Sequence, residues 1–111
     1  MSDIDSFEAL LDKGQDNALL RYTLGALHLQ KGAPDLALVH LRAALDHDPE
    51  YSAAWRALGK ALTEVGETDE AISVYTRGIE VAEARGDKQA AREMQVFLKR
   101  LRKSLTTPTD M

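Results

Sequence analysis

A period of 34 residues governs this chain. Leu24-Gly25 returns as Leu58-Gly59, Gly32 as Gly66, Asp35 as Asp69 and Ala37 as Ala71. The apolar positions Leu38, Leu41 and Leu45 return as Ile72, Tyr75 and Ile79. A fixed period of this length marks a supersecondary unit that cannot bury its apolar face alone and must stack on its neighbours. Stacked units expose long continuous surfaces, which suit binding better than catalysis.

The repeating unit is helical. The 111 residues are rich in Ala, Leu, Glu, Lys, Arg and Gln and hold only three prolines, a mix that favours helix. No segment alternates apolar and polar residues as a half-buried strand does. Six helices are expected, at 4–12, 17–31, 34–46, 51–65, 68–85 and 87–105. Gly14, Gly32, Gly66 and Gly86 fall at helix ends, Pro34 suits a first turn, and Pro49 cannot continue a helix. Asp87 is placed to cap the last helix. The short joints make consecutive helices antiparallel neighbours, so the fold class is all-α, a stack of antiparallel helical hairpins.

Gly25 and Gly59 sit inside good helical segments, where each costs about 1 kcal/mol relative to Ala. The same cost at two equivalent places implies that a second helix packs against the backbone there. Ala37 and Ala71 are expected to supply the matching small surface.

The stretch Trp55-x-x-Leu58-Gly59-x-x-Leu62, followed by Gly66, Ala71 and Tyr75, resembles the tetratricopeptide repeat. The first copy has Leu24, Gly25, Gly32, Ala37, Leu41, Ala44 and Pro49 in matching places. It departs at Arg21, where the pattern prefers Trp, and at His28, where it prefers an aromatic residue or Leu. The second departs at Gly78 and Glu83, where Ala and Pro are usual. The resemblance implies a right-handed stack forming one domain over residues 1–111. Repeat 1 spans 18–51 and repeat 2 spans 52–85. A capping helix lies at 1–15, where Ile4, Phe7 and Leu11 keep the register, and another at 87–105. A flexible tail is expected over 106–111. In the last helix Ala90, Met94, Phe97, Leu98, Leu101 and Leu105 form one apolar stripe, which would close the open end of the stack.

The resemblance also places the first helix of each hairpin on a concave side. In repeat 1 Leu20, Leu24, Leu27 and Lys31 share a core-directed face, while Leu19, Tyr22, Ala26 and Leu29 share another. The equivalent face of repeat 2 holds Ala53, Arg56, Lys60 and Thr63. The expected groove therefore has an apolar side with one tyrosine and a side with two cations, Arg56 and Lys60, one turn apart and able to hold a carboxylate. Some tetratricopeptide domains clamp a terminal carboxylate with Lys and Asn residues; Tyr22, Ala26 and Ala57 stand in those places here, so that clamp is missing.

Other chemistry finds little support. The chain has no cysteine, which excludes disulfides and thiolate catalysis. Its net charge is −4, with −7 on residues 1–86 and +3 on residues 87–111, so no broad basic face for nucleic acid is expected. No apolar run reaches the length of a membrane span and no signal pattern opens the chain, so cytoplasm is the expected location. Asp46-His47-Asp48 lacks the spacing of a known metal site. His28 reads as a packed core substitute and His40 as a surface residue. The run Lys99-Arg100-Leu101-Arg102-Lys103 opposes the helix macrodipole, and Arg85-Gly86-Asp87 is explained by a helix end and a helix cap. No catalytic or metal residue and no cofactor is expected. The expected function is non-catalytic binding of a peptide or protein in the groove by a monomer or weak homo-oligomer; the alternative is a structural, self-associating subunit.

Overall fold

The computed structural model describes residues 3–106, and no strand occurs among them. Its helices are α1 (Asp3–Asp12), α2 (Ala18–Gln30), α3 (Pro34–His47), α4 (Ser52–Glu64), α5 (Thr68–Arg85) and α6 (Lys88–Thr106). Their ends follow the sequence signals. Asn17 Oδ1 accepts the Leu20 N–H at 2.8 Å and caps α2. Pro34 opens α3. Gly86 closes α5 in the left-handed region at φ 79°, a conformation open to glycine at little cost. Asp87 Oδ1 then accepts the Ala90 N–H at 3.1 Å and caps α6, as its position predicts. From residue 107 on, the expected tail lies outside the described residues.

Each helix packs on its sequence neighbours, and α4 also touches α2 and α6. The result is a row of hairpins, 54 × 32 × 19 Å, in which α2, α4 and α6 stand side by side. The internal glycines set the close approaches. A Cβ on Gly25 would meet Leu41 Cγ at 2.5 Å, and one on Gly59 would clash with Cε1, Cδ1 and Cζ of the Tyr75 ring. The partner side chains are thus Leu41 and Tyr75, four residues beyond Ala37 and Ala71. Ala37 approaches less closely, with its carbonyl oxygen at 3.4 Å. Gly78, where the repeat pattern has Ala, makes room for Met94 Sδ and Trp55 Cβ, at 2.7 and 2.8 Å from its absent Cβ. That substitution is what lets α6 sit tightly on α5.

Two apolar clusters hold the stack. One joins Ala37 and Leu41 to Leu58, Ala61, Leu62, Ala71 and Val74. The other joins Tyr75 and Ala82 to Ala90, Ala91, Met94 and Leu98. Each fully buried Leu or Met contributes about 1.5–3 kcal/mol by removal from water. The stripe of α6 is used within the chain: Met94 and Leu98 are buried and only Leu105 is largely exposed. By contrast α1 has no fully buried residue and packs on α2 through half-buried side chains.

Two expectations are corrected. Lys31 is exposed at the C-cap of α2 and Leu27 is half-buried, so the core face of α2 is Leu20, Leu24, Gly25 and His28. His40 is buried, not a surface residue, because its ring stacks on His28 across the α2–α3 seam, centroids 5.4 Å apart.

Candidate functional site

The first helices of the two hairpins and α6 form one wall. Along it lies a depression of about 250 Å³ lined by Tyr22, Ala26, Leu29 and Gln30 of α2, Arg56, Ala57 and Lys60 of α4, and Phe97 of α6. Five of the seven expected groove residues meet here. A second depression of about 400 Å³ continues from it, sharing Lys60 and Phe97 and adding Thr63, Glu64, Tyr75, Arg100, Leu101 and Ser104. Thr63 therefore lies in the adjoining part, where its hydroxyl donates to the Gly59 carbonyl oxygen at 2.8 Å. Leu19 is 66% exposed and lines neither depression.

The two cations do not act as a pair. Arg56 Nη1 donates to Glu93 Oε1 of α6 at 2.7 Å, so its carboxylate partner comes from within the chain. Lys60 is exposed, and Arg100 of α6 adds a third cation to the groove. The floor is aromatic. Tyr22 lies 5.0 Å from Tyr51 and Tyr75 lies 5.7 Å from Phe97, centroid to centroid. Burial pushes the Tyr75 phenol up to about 12, so it stays neutral and serves as packing. Both centroid separations fall in the range that aromatic pairs favour.

Sequence reasoning missed the contribution of α6. Phe97, Arg100 and Leu101 carry no repeat register, but Phe97 and Leu101 stand i,i+4 on the apolar stripe, a signal that one edge of the stripe could face a groove. α6 makes no close backbone approach to α2. It extends the wall and does not close over it.

Several polar residues away from the groove have local partners. His47 Nε2 lies 3.0 Å from Asp16 Oδ1, and Asp48 Oδ1 accepts the Glu50 N–H at 3.0 Å, so the Asp46-His47-Asp48 run is the last turn and C-cap of α3, and its contacts are local. Another open depression, beside this run, is walled mainly by the charged residues Asp48, Glu50, Arg77, Glu80 and Arg85. At the N-terminal end Arg21 grips Asp16 through Nε and Nη2, at 2.8 and 2.9 Å, and reaches His40 Nδ1 through Nη1 at 3.1 Å. The Arg21 hydrogen bond holds Asp16 well below the usual carboxylate range. Burial holds His40 below the ordinary histidine value, outweighing the attraction of Glu8. Glu8, His28 and His40 form a group with metal-ligand atoms close together.

The tetratricopeptide repeat family profile matches residues 28–94. A TPR repeat-containing protein of Pseudomonas aeruginosa is 43% identical over 103 residues, 93% of this chain and 98% of its own. A protein of Bordetella parapertussis, known from its solution structure, is 44% identical with a TM-score of 0.82, covering 96% of this chain and 94% of its own. YrrB, described as a TPR protein with an unusual peptide-binding site, is 25% identical with a TM-score of 0.68, covering 88% of this chain and 58% of its own.

Proposed function

Because this chain belongs to the tetratricopeptide repeat family, we propose that it is a non-catalytic module that binds a short segment of a protein partner along the α2–α4–α6 wall. Tetratricopeptide folds commonly serve protein–protein interaction, and YrrB has a peptide-binding site on a related fold. The observation that carries the reading is the continuity of the two depressions through Lys60 and Phe97. Together they offer an apolar, aromatic floor of Tyr22, Leu29, Phe97 and Leu101 with Lys60 and Arg100 on the rim. Such a surface suits an extended or helical segment with apolar anchors and an acidic residue between them. Leu19, Ala26, Arg56 and Thr63 keep supporting places: Ala26 gives room, Arg56 braces α6 through Glu93, and Leu19 would touch only a segment running past the groove's end. The wall is small beside a standard interface, so the contact is short or transient. No helix among the described residues is long and apolar enough to cross a membrane, and the cytoplasm is the proposed location.

A second reading, self-association, rests on Leu36 and Val39, exposed one turn apart on α3. An affinity capture with wild type and a folded Tyr22→Ala/Lys60→Glu variant separates the two. A partner held by wild type and lost by the variant supports the groove. Identical partner sets refute it, and recovery of the chain alone, with a dimer in light scattering, favours self-association.

A further inference from the structure

Glu8, His28 and His40 come from three helices, α1, α2 and α3, yet their ligand atoms lie within 4.8 Å of one another. Both imidazoles are buried, each 8% exposed, and their rings stack within 1° of parallel, so ligation of one ion requires the rings to turn toward each other. One oxygen faces both: Glu8 Oε2 is 3.7 Å from His28 Nε2 and 3.5 Å from His40 Nε2. These separations are long for a hydrogen bond. They are close to the spacing of donors around a tetrahedral ion, roughly 3.4 Å when each bond is about 2.0–2.1 Å. The fold itself has no need of the pair. One repeat later the same positions hold Leu62 and Val74, both buried in the core.

We propose that Glu8, His28 and His40 form a binding site for a divalent transition-metal ion, with zinc as the ion the donor set fits best. Two imidazole nitrogens and a carboxylate oxygen are a set that zinc takes while keeping a fourth position for water. Glu8 is 43% exposed at its side chain, so that position faces solvent. Bound at this point, the ion ties α1 to α2 and α3, adding a link where α1 has no fully buried side chain.

Arg21 sets the proton accounting. Its guanidinium only donates, so its Nη1 contact leaves the His40 proton on Nε2, aimed at Glu8. When the ion takes the Nε2 lone pair, that proton leaves, Nδ1 takes one up from solvent, and Arg21 Nη1 withdraws. Nε and Nη2 of Arg21 stay on Asp16. His40 changes tautomer without a net loss of protons.

The test uses the full chain without a tag and zinc chloride as the probe, read by calorimetric titration and thermal unfolding. Cobalt(II) in place of zinc gives a visible spectrum that reports four-coordination. Wild type is expected to bind one ion and melt higher with it. His28→Leu/His40→Val, which copies repeat 2, is expected to stay helical and to lose affinity by more than about 100-fold, beyond what removal of a supporting outer group does. Glu8→Gln, at a half-exposed position, is expected to weaken binding at least about tenfold and supplies the test should the double variant not fold. No binding by wild type at micromolar zinc, an adventitious site that survives both substitutions, or a cobalt spectrum of octahedral type each overturns the proposal.

Discussion

The two repeats share a backbone plan and differ in what fills the seam between their helices. Repeat 1 has Arg21, His28, His40 and Leu41 where repeat 2 has Trp55, Leu62, Val74 and Tyr75. The first set makes a polar end, running from Asp16 through Arg21 and the stacked imidazoles to Glu8. The second makes a dry centre, continuous with the apolar clusters that join α3 to α6. Place in the row explains the difference. Repeat 2 is flanked by helices on both sides, so a polar side chain in its seam would lose water without gaining a partner. On its outer side repeat 1 meets only the short α1, and its seam keeps contact with solvent through Glu8 and Asp16. Hydrogen bonds within the set offset the loss of water, so the seam tolerates polar residues there.

The largest effect is expected from overfilling the dry seam. Gly59→Leu would drive a side chain into the Tyr75 ring, which Phe97 flanks, and should cost about 3 kcal/mol or more in chemical denaturation. Gly25→Leu should cost less, about 1–3 kcal/mol, because it meets the smaller aliphatic Leu41 and not an aromatic ring. Equal losses would break the contrast between a rigid and a yielding seam. Next comes exchange of character. Leu62→His puts an unpartnered imidazole at a fully buried site and should cost about 2–5 kcal/mol, whereas His28→Leu/His40→Val should be neutral or stabilising without metal.

A smaller effect is pH dependence. His40 is held below the ordinary histidine value, so the unfolded chain binds a proton first as pH falls. Its contribution is therefore complete above about pH 6.5 and is lost as pH drops toward the lower folded value. Glu8 opposes this while Arg21 and His28 add to it. Urea unfolding at pH 7.5 and 5.5 should show the loss in wild type and a reduced loss in His40→Val, with added chelator in both. The smallest expected change is at a helix cap common to both ends. Asn17→Ala and Asp87→Ala should each cost about 1 kcal/mol, with Asp87 the greater because its other oxygen also accepts from the Ser52 hydroxyl at 2.7 Å.

The helix ends and the hairpin order were legible because glycine, proline and cap residues act locally and the 34-residue register repeats them. The close approaches at Gly25 and Gly59 were legible too, although the side chains that fill them lie one turn beyond the expected Ala37 and Ala71. What was not legible depends on distant pairing. Arg56 reads as a free cation until α6 brings Glu93 to it, 37 residues on. His40 reads as polar surface, though its register with Val74 pointed to a core position. The contribution of Phe97 and Arg100 to the groove needs the tight α5–α6 contact that Gly78 permits, which no repeat pattern encodes.

The central claim is that the α2–α4–α6 wall takes the partner. Its most direct test is a chemical-shift map of the isotope-labelled chain titrated with a peptide selected from a random displayed library. The account predicts shifts concentrated at Tyr22, Leu29, Lys60, Phe97 and Leu101, with Lys60→Glu weakening the peptide while leaving the melting temperature in place. Shifts gathered instead around Leu36 and Val39 on α3 would contradict it.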